Sequence, residues 1–599
     1  MFDLLLMKNT DMKKILSIAL LAVVALASSC SGFLEETAYS KFSKEEAYSN
    51  STLVYLNTVA SLYTAMGRQG LCYDCDSGRE NFHYLSEFSS DLCFNQGRRS
   101  DWVDGGAHQQ IFLQTWDKSH ANINYAWSFQ YKLIGLCNSS IDDLKEMLDN
   151  GGEAFLQDYI NEIRAIRAYF YMQAVSMFAR VPIVTSSSMS VNDATQSSRS
   201  EVYAFVRDEL AEIIPTLANA SCTAQGGAYY GRMTQAVGYM MMAKLAANAA
   251  VWSQDTWNDG KFTGGIDKVG NTVTDLGKAQ NITLDGTSRN AWETVIYCQE
   301  KLAGMGYKLN PDDHANFTTG NEASVENIFI RPNDVSTYQL QQRLTGYTLH
   351  SNHIMALANG RGANGPAATV YAAELFGVTY DPATDETDYS NADPRWDMFF
   401  YSGDISVNGT PVAISSDYKK TLSYLPFAAK NDHGSPASGS KEEYEMWCAG
   451  ARMRKAECDK ANDYFRGMTH YQDADMVVFR YADALLLAAE AKFRLGKTDE
   501  ALAMVNQIRN RVGAVPRTEI TLKTILDERG LELVWEPTRR EDLIRFGMYT
   551  EPTTDKYLGC PAATGAGVWA YDAVGYKLVF PIPASVLELN TKLTQNPGY

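Results

Sequence analysis

The block from Phe479 to Gly547 limits the possible folds more than any other part of the chain. From Arg480 to Gly513 apolar residues recur at helical spacing in two runs broken at Gly496, which predicts two helices folded back as a hairpin. The small residues Ala489 and Ala501 flank that turn and allow the close helix contact of a tetratricopeptide-type unit. From Ile525 onward, Glu528, Glu532 and Glu536 stand at i, i+4 and i+8. A helix through them carries three carboxylates on one face, among Arg529, Arg539, Arg540 and Arg545. Such a face could be an active site or an ion network. Carboxylate catalysis needs two groups facing each other across a cleft with separated pKa values. Three on one helix, interleaved with arginines, favour the network, tied to arginines such as Arg545 and to the preceding hairpin, away from the main aromatic pocket. The run Ala491 to Thr498 has the loose spacing of a phosphate-binding loop. However, Phe493 to Leu495 end a helix there rather than follow a strand, so no backbone cradle for phosphate is expected.

At the N-terminus, Met12, Lys13 and Lys14 precede an apolar run from Ile15 to Leu26 that is too short to span a bilayer comfortably. Residues 12–29 therefore read as a signal peptide, with Met12 as the expected start. The segment Leu26 to Cys30 resembles a bacterial lipobox. On that reading Cys30 is acylated, becomes the mature N-terminus and holds the chain to the membrane by lipid. The acidic stretch Ser31 to Glu36 resembles the surface-export tags of such lipoproteins. No second apolar run of about 18 residues follows. The net charge of −18 opposes a general nucleic-acid or anionic-membrane surface. Ten cysteines leave an odd number after Cys30, so no complete disulfide framework is implied. Cys72 and Cys75 lack the strand-then-helix setting of a redox motif and read as a local disulfide or free thiols; Cys448 and Cys458 could also pair.

Helical periodicity recurs at about 43–66, where Ser43 and Glu46 offer a capping box, and again at 122–148, 155–178, 200–217 and 234–252. The last of these is apolar nearly all round and is expected to be buried, with Met240, Met241 and Met242 as core filler. Between lie two irregular regions, 70–115 and 260–470, rich in Gly, Asn, Asp and aromatic residues. The first reads as a long ordered loop; the second holds a helix near 291–305 and strand-like runs such as Glu326 to Arg331. Helix is expected from Met476 to Gly547 and again briefly up to Leu589. His350 and His353 could share a helix face, yet with no carboxylate or Cys partner nearby they make a poor metal site. No metal or cofactor is expected.

Several segments together resemble the SusD/RagB family of surface nutrient-binding lipoproteins: Glu162 to Thr185, Gly231 to Thr234, Asp393 to Arg395, Arg480 to Asp483, Ile525 to Glu536, Asp542 to Arg545, Phe580 to Pro583 and Leu593 to Tyr599, all in order. The resemblance covers the mature chain nearly end to end. It implies a mostly α, single compact domain over residues 30–599. The scaffold would be tetratricopeptide-type hairpins at about 43–66, 122–253 and 476–599, with a loop-rich ligand-binding part at about 70–115 and 260–470. It further implies a surface-exposed outer-membrane protein that binds oligosaccharide or polysaccharide and delivers it, without catalysis, to a SusC-like TonB-dependent transporter. Other classes remain open: a peptide- or nutrient-binding member, a surface glycoside hydrolase using Glu528 or Glu532, or an adaptor that binds partner peptides.

The shared motifs are scaffold motifs, so the ligand site must be sought by chemistry. A glycan site wants exposed aromatic rings flanked by hydrogen-bonding side chains. Two segments suit this: Tyr73 to Trp102, with Asp91, Asn95, Arg98 and Asp101, and Tyr338 to Arg361, with Tyr347, His350, Asn352 and Arg361. Trp447 is a further candidate, and Trp102 is the ring expected to stack on the ligand. Net acidity favours a neutral glycan unless Arg98, Arg99 and Arg361 create a local exception.

Overall fold

A computed structural model of the protein describes residues 48, 50–69, 82–95, 97–98, 101–102, 104–190, 192–220, 227–257, 278, 280–335, 344–414, 418–428, 436–456, 459, 461, 463–466, 469–550 and 575–599. The chain divides into two units between Thr58 and Val59. Described in the first is the helical turn Ser51–Tyr55, whose cap is Asn50, accepting from the Leu53 N–H at 3.0 Å; the expected Ser43 and Glu46 box lies outside the described residues. The second unit holds everything discussed below.

Its core is built from paired helices whose apolar stripes face one another. Ala121–Asp149 buries Ile123, Trp127, Ile134, Ile141 and Leu144 on one side and packs along Phe155–Phe178. The latter is buried almost continuously from Ala165 to Phe178, because Arg199–Ile213 covers its other side. Ser198 and Glu201 close a capping box at the start of Arg199–Ile213. Gln235–Ala247 is buried all round, Met240, Met241 and Met242 included, and packs on Ala291–Gly304. Gly238 has a reason to lack a side chain: a Cβ there would come within 2.7 Å of Ile214 Cγ1. The hairpin Tyr481–Arg494 and Thr498–Arg511 turns at Gly496, φ +81, and its first helix docks on Ala291–Gly304. Ala489 and Ala501 are both fully buried. The architecture is mostly α, with short two-stranded pairings in the loop-rich part.

Residues 476–480 are a strand, not the start of a helix: Met476–Arg480 pairs antiparallel with Asn327–Arg331 through a register shift near Val477 and Phe479. The run Met-Val-Val-Phe is β-branched and aromatic, and both strands are buried throughout. The region 70–115 is not one loop; it contains the helices Phe82–Phe88 and Ala107–Phe112 and a strand at Cys93–Phe94. Cys72 and Cys75 lie outside the described residues. Cys448 is a buried free thiol, as are Cys93, Cys137 and Cys298. No helix among the described residues is long and apolar enough to cross a membrane.

The C-terminal segment is tied to the end of Phe155–Phe178 by polar contacts. Asn596 Nδ2 donates to the carbonyls of Phe178 and Phe580, both at 2.9 Å, and the Phe580 N–H donates to Met177 O at 2.7 Å. The Met177 and Phe178 carbonyls lie in the last turn of a helix and have no intrahelical partner, so donors placed there satisfy groups that burial would otherwise penalise.

Candidate functional site

The glutamate face is architecture. Glu528 and Glu532 lie on the helix Leu522–Leu533, but the chain leaves that helix at Val534 and turns through Trp535, φ +68, before Glu536. Arg395 reaches Glu528 at 2.8 Å and Glu532 at 3.1 Å. Arg480 reaches Glu326 and Glu532 at 2.7 Å and Glu536 at 2.8 Å. Lys455 lies 2.6 Å from Glu536, Arg509 2.7 Å from Glu528, and Arg511 joins Glu326 and Glu532. Arg545, expected in this group, instead binds Glu490 and Asp542. Burial works against the Glu532 charge, but Arg511, Arg480 and Arg395 outweigh it and hold the carboxyl well below its usual range. Oxygens of Asp313, Glu326 and Glu532 come within 4.8 Å of one another. A cation could bridge that spacing, yet Arg480 and Arg511 already lie against all three carboxylates. The cavity that Glu536 lines with His83, Lys455 and Trp535 measures about 40 Å³, which has room for roughly one to three waters and none for a sugar.

The two loop segments singled out by sequence do meet. Cys93–Phe94 pairs antiparallel with Ala367–Ala368, and Thr369 Oγ1 donates to Asp91 O at 2.6 Å. Just beyond, the buried Arg98 guanidinium bolts three strips of backbone together. Nη1 donates to Met446 O at 2.6 Å and Trp447 O at 3.2 Å, and Nη2 to Gly365 O at 3.3 Å and Ala449 O at 3.2 Å. Arg452 repeats the device from the other side, donating to Ala449 O at 2.6 Å and Asn364 Oδ1 at 3.1 Å; burial pushes its pKa down to about 10.

On this frame sits Trp102. Its backbone is left-handed, φ +59, a strained conformation for a bulky residue. Its indole N–H donates to Ala363 O at 2.8 Å, and its ring meets Tyr347 edge-on at 5.4 Å and His108 at 5.6 Å. Trp102 and Tyr347 are both half-buried, so each keeps surface for a ligand. A Cβ at Gly365 would lie 2.5 Å from Trp102 Cζ2. Gly365→Ala is therefore expected to push the indole off Ala363 O and cost about 1–3 kcal/mol in urea unfolding, with a shifted tryptophan emission.

The other expected residues divide by burial. Asp101 and Arg361 are exposed, and Trp447 is half-buried with its carbonyl held by Arg98 and Asn364. His350 Nδ1 accepts from the Asn352 N–H at 3.1 Å as a helix cap, and Asn352 Nδ2 donates to Ala413 O at 2.8 Å. Asp91, Asn95 and Arg98 are interior, contrary to the expectation that they flank an exposed ring. Asp91 binds the buried Arg539 through both oxygens, at 2.8 and 2.9 Å. Tyr73 lies outside the described residues. A separate cleft of about 690 Å³ is lined by Tyr380, Phe427, Asp385 and Glu445, none of them anticipated. Tyr380 and Phe427 lie far apart in sequence, in segments without a helical or strand period, so no local pattern joins them.

His350 caps the helix Ser351–Ala358, and His353 Nδ1 lies 3.2 Å from the Tyr424 hydroxyl. Burial pushes their pKa values down to about 4 and about 3, and His83 also to about 4. The folded chain thus excludes protons that the unfolded chain takes up near its ordinary value of about 6.5. For a base with a lowered folded pKa, stability is full above about 6.5 and falls as pH drops toward about 4, by about 1.4 kcal/mol per pH unit per histidine. His353→Gln is expected to remove one such slope from urea midpoints measured between pH 7 and 4.

The sequence pattern of the SusD family matches residues 299–599, half of the chain, and the chain belongs to that family. The starch-binding protein SusD of Bacteroides thetaiotaomicron is 24% identical over 465 residues, covering 73% of this chain and 72% of that protein. Among solved structures, a laminarin-binding SusD-like protein superimposes with a TM-score of 0.60 at 19% identity, over 92% of this chain and 100% of that one. Surface glycan-binding protein A from Bacteroides thetaiotaomicron, in complex with laminarihexaose, gives 0.60 at 18% identity, over 91% and 99%. At these identities the structural likeness establishes the fold.

Proposed function

We propose that the chain binds an oligosaccharide or polysaccharide at the cell surface and passes it, chemically unchanged, to a SusC-like TonB-dependent transporter in the outer membrane. The observation that carries the reading is the Trp102–Tyr347 pair, two half-exposed rings held on a buried frame where the two irregular segments meet. Sugar rings present apolar C–H faces to such a platform, and Asp101, Arg361, His350, Asn352 and Trp447 supply the surrounding rim. The family relation and the glycan-binding names of its relatives support the same ligand class. Saturation of Glu528 and Glu532 by arginines argues against glycoside hydrolysis, which needs one protonated acid and one free carboxylate at the sugar. Acylation of Cys30 is the proposed anchor, and the acidic net charge favours a neutral glycan.

Affinity gels containing laminarin or soluble starch test the ligand class, and a reducing-end assay on the same mixtures tests for catalysis. Retardation without new reducing ends is the expected result. Release of sugar ends, or binding of peptides in place of glycans, would overturn it. Co-purification of a transporter barrel from detergent-solubilised outer membranes tests the partner.

A further inference from the structure

We propose that the cleft beside Tyr380 is a second carbohydrate-contact site, which takes a neutral ring of the same glycan chain that Trp102 engages. This rests on the glycan reading above. The cleft's volume of about 690 Å³ falls within the range of small-ligand sites, roughly 300–1,000 Å³. Its floor is an aromatic stack: Tyr380 lies on Phe427 with centroids 5.4 Å apart and an interplanar angle of 19°. The lower ring is 6% exposed and the upper ring 36%, so the platform is anchored in the interior and open above. Tyr380 is also fixed at its rim. Its hydroxyl donates to Asp385 Oδ1 at 2.7 Å, Asp385 pairs with Lys441, and Lys441 lies 3.3 Å from Glu445. A ring held by a stack and a hydrogen bond loses little freedom when a ligand binds.

The polar lining suits hydroxyls. Glu374 and Glu445 can accept from sugar O–H groups, and Thr379 and Thr387 can donate or accept. Three carboxylates, Glu374, Asp385 and Glu445, outnumber the one ammonium of Lys441, so a uronate or sulfate ester would be repelled. The cleft also adjoins the first site along the chain. Glu445 and Trp447 belong to one helix, Lys441–Cys448, whose last turn is the strip of carbonyls that Arg98 grips. On this proposal a glycan of several rings meets both platforms, whereas a disaccharide meets only one.

The test compares Tyr380→Ala, Tyr380→Phe and Trp102→Ala, each checked by thermal melt. Binding is measured on laminarin and soluble-starch gels, then by titration with the disaccharide and hexasaccharide of the retarding polymer. Tyr380→Ala is expected to weaken the hexasaccharide about ten-fold and the disaccharide by less than about two-fold, while Tyr380→Phe, which keeps the ring, stays near wild type. If Tyr380→Ala leaves the hexasaccharide unchanged while Trp102→Ala abolishes binding, the cleft is only packing beside the strand pair Thr379–Asp381 and Glu386–Asp388, and the proposal falls with the glycan reading intact. If neither polymer retards the wild-type chain, the glycan reading itself fails and takes the second site with it.

Discussion

Arg480→Met is expected to destabilise the protein by about 3–5 kcal/mol, the largest effect of any single substitution considered. Arg480 is fully buried and stands at the end of the Met476–Arg480 strand, where it meets Glu326, Glu532 and Glu536 at 2.7–2.8 Å. The cost does not arise because the ion pairs are worth that much against an apolar isostere; buried pairs often are not. It arises because removing one cation leaves several carboxylates in a low-dielectric interior with too few partners. Arg480→Lys keeps a charge but loses the planar fork that divides itself among three acids, so it is expected to recover only part of the loss. The pH dependence gives an independent check. Burial opposes the Glu536 charge, and Arg480 and Lys455 overcome it to hold the folded pKa down. Its stabilisation is thus present above the ordinary glutamate value and is lost as pH falls through the folded value. Without Arg480 that carboxyl takes up a proton more readily, so the gap between variant and wild type in urea should be widest near pH 7 and narrow toward pH 4.5.

Trp102→Ala carries the largest expected effect on binding, a loss of about 2 kcal/mol or more, which is about 30-fold in Kd. The substitution removes the half-exposed ring, its contact with Tyr347 and its hydrogen bond to Ala363 O. Because φ at this position is +59, an alanine retains the backbone strain while losing the contacts that offset it. Trp102→Gly is therefore expected to be more stable than Trp102→Ala, by roughly 1 kcal/mol, and equally poor at binding. A stability difference of that sign, with no difference in Kd, separates the ring's role in recognition from its role in holding the loop.

Much of the scaffold could be read from period alone. Phe155–Phe178 matches its expected span residue for residue, and the hairpin turn at Gly496 falls where the apolar run breaks. The reading failed where periodicity and burial part company. Met476–Arg480 is apolar at nearly every position, so a buried strand and a buried helix look alike there, and only its pairing with Asn327–Arg331 decides. The glutamate face is legible as a network and in its tie to the preceding hairpin, which Arg509 and Arg511 make, but not in the rest of its wiring. Arg545 lies in the same short block as Glu532, yet binds Glu490, while the arginine that meets Glu532 at 3.1 Å comes from residue 395. At the site the limit was burial. Asp91 and Arg98 have the right chemistry for a ligand rim and stand beside Trp102 in sequence, but one is spent on Arg539 and the other on backbone carbonyls. Those partners lie hundreds of positions away, so nothing local distinguishes a rim residue from a bolt. Trp102 and Tyr347, the rings of the proposed site, come from the two irregular segments, and the fold brings them together.

On the proposed function, a glycan binds, uncleaved, where Trp102 and Tyr347 meet. A crystal structure of the protein with the hexasaccharide of whichever polymer retards it in affinity gels addresses this most directly. An intact chain with one ring in van der Waals contact with Trp102 or Tyr347, about 4 Å from the aromatic carbons, is the predicted result. A shortened sugar beside Glu528 or Glu532, or an intact one bound away from both rings, would contradict it.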